Sequence, residues 1–203
     1  MTLVKVCGVT RVDDAVHAAR AGVEAIGLNF WAGSPRCVSP ETAAAISAAL
    51  PAGVRRVGVF VDAGRDAIAA IAGAVGLDAI QFHGDEPPDA CAGWPYTTIR
   101  AVRVRGPETL AAAAADYAVD FLLADAWVAG QPGGTGHRVP LDWLAGVPRE
   151  RLILAGGLTP DNVAEAVRAV RPAGVDVASG VESAPGIKDP EKVERFIANA
   201  HAA

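Results

Sequence analysis

The chain has 203 residues, 51% of them hydrophobic and 20% charged, and its formal net charge at pH 7 is −5. This length and composition predict one globular domain, residues 1–203, and exclude a disordered chain. The acidic balance gives no sign of a nucleic-acid surface, so we expect no nucleic-acid partner.

The cysteines indicate the compartment. Cys7, Cys37 and Cys91 cannot all pair, and three cysteines are too few for a disulfide-stapled secreted fold. The opening run "LVKVC" is too short for a signal peptide, and no apolar run approaches the ~20 residues that span a bilayer. We therefore expect a cytoplasmic protein with no membrane partner.

Short β-branched runs alternate with longer alanine-rich stretches along the chain. The predicted strands cover residues 3–8, 25–30, 54–61, 77–84, 96–104, 119–125, 151–157 and 174–180. The predicted helices cover residues 11–22, 39–50, 64–76, 85–94, 106–118, 140–147, 159–172 and 189–203. Strict alternation of this kind predicts parallel strands joined by right-handed crossovers.

Capping residues mark the ends of several predicted helices. Ser39, Thr159 and Asp189 each precede a proline, which is the pattern of an N-cap followed by proline at the first helical position. Gly22 and Gly76 stand where the first and third helices should end.

Eight strand–helix units most naturally close into an α/β fold of the single-domain (β/α)8 TIM-barrel type. The alternative is an open doubly wound sheet, which usually carries a GxGxxG turn after its first strand. Here that turn reads "CGVTR", and the glycine-rich turns follow the seventh and eighth strands instead. The sequence therefore favours the barrel.

The two late loops predict a phosphate site. In barrels that bind phosphorylated substrates, the loops after strands seven and eight present backbone N–H groups to the anion. The glycines could also serve only to make tight turns, but two such loops at these two positions favour phosphate binding. The candidate residues are Gly156, Gly157, Ser179 and Gly180.

Cys7 and Asp125 are the candidate catalytic residues. Each ends a predicted strand, and the active site of a barrel lies at the carboxyl ends of its strands. Cys7 could be an inert buried thiol and Asp125 a turn cap. Strands one and six, however, face each other across the barrel mouth, so a base and an acid there suit proton transfer on a small substrate.

Four further residues are candidates for substrate binding: Arg36, Gln81, His83 and Asp176. Arg36 follows strand two and suits a carboxylate, although a loop arginine is more often a solvated charge. Gln81 and His83 share a face and could orient substrate hydroxyls or satisfy nearby backbone. Asp176 on strand eight should pair with Lys5 on strand one, which would explain a lysine at a buried position.

We expect no metal and no cofactor. No group of histidine, cysteine and carboxylate residues has the spacing of metal ligands, and no nucleotide-binding motif is present.

The order of these motifs resembles the phosphoribosylanthranilate isomerase family of tryptophan biosynthesis. The resemblance runs from residue 3 to residue 198 and is carried by "KVCG", "GSPRCVSP", "VGVFV", "QFHGDE", "LLAD", "GGTG", "LAGGLTPDNV" and "VDVASGVESAPGIKD". It implies a cofactor-free Amadori rearrangement of N-(5-phosphoribosyl)anthranilate to 1-(2-carboxyphenylamino)-1-deoxyribulose 5-phosphate.

The resemblance also implies roles for single residues. Asp125 matches the general acid that opens the ribose ring, and Cys7 matches the general base that removes the C2 proton. Arg36 matches the residue that holds the anthranilate carboxylate, and the glycine loops match the phosphate site. Lys5 beneath Cys7 would lower the pKa of the thiol unless Asp176 neutralises it.

The chain departs from the family pattern at two places. After "GGTG" it continues "HRVPLDW", two residues longer than usual, with His137 in the basic position and Arg138 beside it. Asn29 stands where an apolar residue is more usual.

Other functions remain open at this point. A histidine-pathway aldose–ketose isomerase would be expected to carry an aspartate at the position of Cys7, and a lyase-type barrel would need a lysine–glutamate set that is not found. A non-catalytic phosphosugar-binding barrel would be expected to lose Cys7 or Asp125. Few aromatic residues and a charged exterior are compatible with a monomer.

Overall fold

The computed structural model describes residues 2–126, 140–144 and 146–203. Eight strands form a closed barrel in chain order, every neighbouring pair is parallel, and β8 pairs back to β1. The strands are β1 (Leu3–Cys7), β2 (Ala25–Asn29), β3 (Arg55–Phe60), β4 (Ala79–Phe82), β5 (Thr97–Val104), β6 (Phe121–Ala126), β7 (Leu152–Leu154) and β8 (Gly174–Val177). The predicted eight-stranded barrel is confirmed.

Seven α-helices lie in the described part of the chain. They are α1 (Val12–Arg20), α2 (Pro40–Ala49), α3 (Arg65–Val75), α4 (Pro88–Cys91), α5 (Pro107–Asp116), α6 (Val163–Val170) and α7 (Pro190–His201). After β8 the chain makes a 3-10 turn (Ser179–Val181) and a two-stranded hairpin, β9 (Glu182–Ala184) and β10 (Ile187–Lys188).

The helix predicted over residues 140–147 is wrong in type. The structure has one 3-10 turn there, Leu141–Leu144, and a second at Arg149–Arg151. Gly146 adopts a positive φ of 98°, and Pro148 has no N–H to donate, so the first turn cannot continue into an α-helix.

Most of the predicted helix ends are confirmed. The side chains of Ser39 and Asp189 each accept a hydrogen bond from the backbone N–H three residues further on, as N-caps do. Gly22 and Gly76 follow α1 and α3 with positive φ angles of 95° and 71°.

The predicted cap at Thr159 is wrong. Helix α6 begins at Val163 with Asn162 before it, because the Asn162 side chain folds back onto the preceding loop. Its Oδ1 accepts from the N–H of Thr159 at 2.9 Å, and its Nδ2 donates to the carbonyl of Gly157 at 2.9 Å. These bonds hold residues 157–162 as an ordered turn ahead of the helix.

The barrel core consists of two layers, because side chains alternate between the two faces of a strand. The larger layer lies between the strands and the helices. The smaller layer fills the barrel interior with Ala25, Val57, Ala79, Ile99, Ala101, Leu123, Ile153 and Ala155. Of the helices that the structure describes, none has the length and apolar character to cross a membrane.

Candidate active site

A cavity opens at the carboxyl ends of the barrel strands. All of the predicted site residues except Gln81 line it: Cys7, Arg36, His83, Asp125, Gly156, Gly157, Asp176, Ser179 and Gly180. Residues far apart in sequence meet there because parallel strands all end at the same rim of the barrel.

Cys7 ends β1, and its register partner on β2 is Gly27. A Cβ atom at position 27 would lie 2.7 Å from Sγ of Cys7, closer than real Cβ atoms approach other atoms, and 3.1 Å from Nζ of Lys5, which is unusually tight. Because Gly27 has no side chain, it leaves the space into which the Cys7 thiol and the Lys5 ammonium group pack.

The predicted ion pair beneath Cys7 is present. Nζ of Lys5 lies 2.8 Å from Oδ1 of Asp176, and the lysine side chain is only 1% exposed. Burial by itself lowers the pKa of Lys5, but Asp176 and Cys7 more than offset this and raise that pKa to about 12. Lys5 is therefore a charged, paired residue inside the barrel.

Burial decides the ionisation of Cys7. It is the largest influence on the thiol and raises its pKa above the ordinary value; Lys5 lowers that pKa and Asp176 raises it again, each to a smaller extent. Lys5 therefore does not bring the pKa of Cys7 below the ordinary value in the free protein, because burial outweighs it.

Asp125, the last residue but one of β6, lies near His83. Oδ2 of Asp125 lies 3.6 Å from Nε2 of His83, an ion-pair distance but too long for a direct hydrogen bond. Arg103, the register partner of Asp125 on β5, also lines the cavity, and its guanidinium contacts the carbonyl of His83 at 3.4 Å and the carboxylate of Asp85 at 3.6 Å. The Asp125 carboxyl group thus meets the cavity beside an imidazole.

Gln81 is placed differently from the expectation. It is fully buried and does not line the cavity; its Nε2 lies 2.8 Å from Nδ1 of His83. With the amide nitrogen donating, Nδ1 is the acceptor and a neutral imidazole carries its hydrogen on Nε2, toward Asp125. Gln81 can therefore act on a bound molecule only through His83.

Arg36 lies in the loop after β2 and pairs with a residue that the sequence did not single out. Nε and Nη2 of Arg36 donate to the two carboxylate oxygens of Glu182 at 2.8 and 2.7 Å. Gly8, at a φ of 69°, makes room for the arginine, because a Cβ atom there would overlap Cδ of Arg36. Lys188 donates to the same glutamate at 2.8 Å.

The charges of this cluster are set by burial and by pairing. Burial raises the pKa of Glu182, but the hydrogen bonds from Arg36 and Lys188 outweigh it, so that pKa lies below the ordinary value. Burial lowers the pKa of Lys188, and Glu182 counters part of that effect. Nζ of Lys188 has three acceptors for its three hydrogens, as an ammonium group requires.

The sequence contains a signal for the Glu182–Lys188 pair that the sequence analysis did not use. Glu182 and Lys188 flank "SAPGI", which contains a Pro-Gly turn, and the structure shows them as cross-strand partners of the β9–β10 hairpin. Opposite charges facing each other across a hairpin turn stabilise one another.

The two glycine loops approach each other at the rim. Gly156 and Gly157 have consecutive positive φ angles of 80° and 64°, a conformation that glycine adopts without strain. Gly180 lies so close to the carbonyl of Leu158 that no side chain fits there. The backbone of both loops therefore faces the cavity at one place.

A family model for N-(5'-phosphoribosyl)anthranilate isomerase matches residues 4–199. The chain belongs to the N-(5'-phosphoribosyl)anthranilate isomerase family. The isomerase of Thiobacillus denitrificans is 52% identical over 202 residues, with 98% of each chain covered. That of Myxococcus xanthus is 50% identical over 201 residues, covering 96% of this chain and 93% of the relative.

Solved structures of the same isomerase family share the fold. The Thermotoga maritima phosphoribosyl anthranilate isomerase superposes with a TM-score of 0.91 at 37% identity over both full chains. Another structure of such an isomerase, in complex with reduced 1-(o-carboxyphenylamino)-1-deoxyribulose 5-phosphate, has a TM-score of 0.86 at 36% identity and full coverage.

The departures from the isomerase pattern have different outcomes. His137 and Arg138 lie outside the described residues. Asn29 ends β2, lines the cavity, and accepts a hydrogen bond from the N–H of Trp31 at 2.8 Å, which fixes the start of the loop that carries Arg36.

Within the described ranges, no group of three or more histidine, cysteine or acidic residues could hold a metal ion.

Proposed function

We propose that this protein is an N-(5'-phosphoribosyl)anthranilate isomerase of tryptophan biosynthesis that works by general acid and base catalysis without a cofactor. The observation that carries the proposal is that one cavity, in a chain of this family, brings together Cys7, Asp125, Arg36 and the two glycine loops. These groups supply a base, an acid, a carboxylate partner and a phosphate site.

Binding uses the ends of the substrate. The loops at Gly156–Gly157 and Ser179–Gly180 offer backbone N–H groups to the phosphate, because glycine lets the chain approach an anion closely. Arg36 holds the anthranilate carboxylate on the other side of the cavity. His83 contacts a ribose hydroxyl group.

The chemistry moves two protons between these anchors. Asp125 protonates the ring oxygen, the C1–O bond breaks, and the nitrogen lone pair forms an iminium ion with C1. Cys7 as thiolate then removes the proton from C2, and the C–H electron pair forms an enolamine that tautomerises to the ketone. The iminium charge makes the C2 proton acidic, so a thiolate is a sufficient base.

The reaction needs a thiolate at Cys7. Because burial raises the pKa of Cys7, the thiolate is the minor form of this residue in the free protein. The charge of the iminium ion favours the thiolate once the ring has opened.

The test follows the anthranilate fluorescence as purified protein consumes phosphoribosylanthranilate made in situ. We expect turnover without added metal, and a loss of at least ~100-fold in Cys7→Ala and in Asp125→Asn. Cys91→Ala is the matched thiol control and Asp120→Asn the matched carboxylate control, since neither residue lines the cavity. Both controls should keep wild-type turnover.

Each other outcome overturns a different part of the proposal. No turnover with the phosphosugar still bound would identify a binding protein, and turnover of the histidine-pathway substrate alone would identify the other isomerase. Full activity in Cys7→Ala would leave the isomerase without its proposed base.

We also propose that the chain is one barrel domain over residues 1–203, monomeric and cytoplasmic. Pairing of β8 with β1 and packing of α7 on β1 support a single unit. All three cysteines are free, as expected in a reducing compartment, which supports a cytoplasmic location. Among the described residues, the exposed large hydrophobic side chains are Val12 and Ile187, and this small number supports a monomer. The similar solved structures include monomers of a dimeric Thermotoga maritima isomerase. Light scattering should therefore measure the mass of this protein in solution, and the mass of a dimer would contradict the proposed monomer.

A further inference from the structure

The β9–β10 hairpin places two buried charged residues, Glu182 and Lys188, against Arg36, and the proposed reaction gives neither of these two residues a role. Arg36, Glu182 and Lys188 form two ion pairs through the glutamate, at 2.7 and 2.8 Å. The side chains of Glu182 and Lys188 are 5% and 2% exposed, and neither residue lines the cavity. Burying charged groups costs free energy that their mutual attraction often does not repay, so stability alone does not explain why the fold keeps this triad.

The contact with Glu182 uses only one edge of the Arg36 guanidinium. Nε–H and one Nη2–H donate to the glutamate, which leaves Nη1 and the second Nη2 hydrogen. No hydrogen bond to Nη1 is formed within the described parts of the chain. Because Arg36 lines the cavity and Glu182 lies behind it, the remaining edge faces the cavity and can hold a second carboxylate with two hydrogen bonds.

Lys188 keeps the triad cationic. Arg36 and Glu182 alone would sum to zero charge, whereas the ammonium of Lys188 leaves a net charge of about +1 for an incoming anion. Lys188 also donates to the carbonyls of Cys7 at 2.6 Å and Ala178 at 3.2 Å. It thereby ties the hairpin to the strand of the proposed base and to the second phosphate loop.

We propose that Glu182 and Lys188 are positioning residues that aim the free edge of Arg36 into the cavity and so set the preference for a substrate whose aromatic ring carries a carboxylate. The proposal rests on the proposed function, since it assigns the carboxylate of that substrate to Arg36. The geometric alternative is that the triad only anchors the hairpin to the barrel.

The test compares two stable probes by calorimetry. One is reduced 1-(o-carboxyphenylamino)-1-deoxyribulose 5-phosphate, and the other is the same molecule without the carboxyl group. The wild type should bind the first more tightly, and Arg36→Met should abolish that preference. In Glu182→Gln, the amide oxygen can no longer accept from both Arg36 donors as the carboxylate does. We expect this loss of positioning to outweigh the gain in positive charge, so the preference should fall roughly tenfold, with little change in the binding of the second probe.

Three further variants separate positioning from mere stability. Glu182→Gln added to Arg36→Met should have no additional effect on the preference, because the glutamate acts through the arginine. Lys188→Met should lower the preference as Glu182→Gln does. Arg56→Met is the stability control, because Arg56 donates to the backbone carbonyls of Ser47 and Leu50 at the end of α2 and of Val54, and does not line the cavity.

Equal losses for both probes in Glu182→Gln, or additive losses in the double variant, would overturn the proposal and leave an anchoring role. An unchanged preference in Glu182→Gln and in Lys188→Met would also overturn it. Wild-type protein that binds neither probe would contradict the proposed function instead, so the two failures are distinguishable.

Discussion

The two ends of the barrel use carboxylates in opposite ways. At the amino end, Glu24, Asp78 and Asp120 each precede an even-numbered strand and accept a hydrogen bond from a backbone N–H of the neighbouring odd-numbered strand, at 2.8, 2.7 and 2.8 Å. At the carboxyl end, Asp125, Asp176 and Glu182 each have different partners. The carboxylates repeat one contact at the amino end and have different partners at the carboxyl end, which distinguishes a structural end of the barrel from a functional end.

The physical difference lies in what each carboxylate satisfies. At the amino end the acceptors meet backbone donors that every strand exposes, so one solution serves three strand pairs. At the carboxyl end the partners are side chains of single residues, such as Lys5 for Asp176 and Lys188 for Glu182. The comparison shows that carboxylates at equivalent positions of the repeat share one role where their partner is the repeated backbone, and that carboxylates whose partners are single side chains have different roles.

The largest effect should come from breaking a buried pair at the carboxyl end. Lys5→Met leaves Asp176 charged and unpaired in the barrel interior, which should destabilise the fold by about 3–5 kcal/mol in denaturant unfolding. Lys5→Met combined with Asp176→Asn should lose less, because no uncompensated charge remains. Arg195→Met, which breaks an exposed pair, is the control and should cost at most ~1 kcal/mol. Wild-type stability in Lys5→Met would contradict this account.

The pH profile should show the ionisation of Cys7 directly. The wild-type kcat/KM should fall at alkaline pH, because the reaction needs a protonated acid and gains no further thiolate once Cys7 is ionised. Because burial raises the thiol pKa, that fall should begin only above the pH range in which an ordinary thiol ionises.

Asp125→Asn should reverse that slope. The residual kcat/KM then needs only the thiolate, so it should rise about tenfold per pH unit up to the same raised pKa of Cys7. Circular dichroism at each pH controls for unfolding. A wild-type decline that starts near pH 7 would mean that the thiol pKa is lowered, contrary to the burial seen here.

The smallest effects should come from the amino end. Asp78→Asn and Asp120→Asn each weaken a hydrogen bond at an exposed site, so we expect losses of roughly 0.5–1 kcal/mol in thermal or denaturant unfolding. Turnover should stay within about twofold of the wild type, because the cavity lies at the other end of the strands. A large loss of activity in either variant would remove the distinction between the two ends.

Local patterns in the sequence were sufficient to predict the barrel fold and most of the residues at its carboxyl-terminal rim. The alternation of β-branched and alanine-rich segments predicted eight parallel strands, and strand ends identified the side chains that share the cavity. Two local predictions were wrong for local reasons: Gly146 and Pro148 stop the helix predicted over 140–147, and Asn162 delays the start of α6.

The tertiary structure decided the contacts that the sequence did not predict. It brings the β9–β10 hairpin, and with it Glu182, against Arg36, and it buries Gln81 so that the cavity is lined by His83 instead. The pair of Lys5 with Asp176 was already predicted, because strands one and eight become neighbours when the barrel closes. The sequence by itself determines the fold and the kinds of chemical group at the rim, because strand and helix propensities act over a few neighbouring residues. Charge and pKa depend on burial and on partners distant in sequence, so only the closed barrel decided that burial raises the pKa of Cys7 although the charged Lys5 lies beneath it.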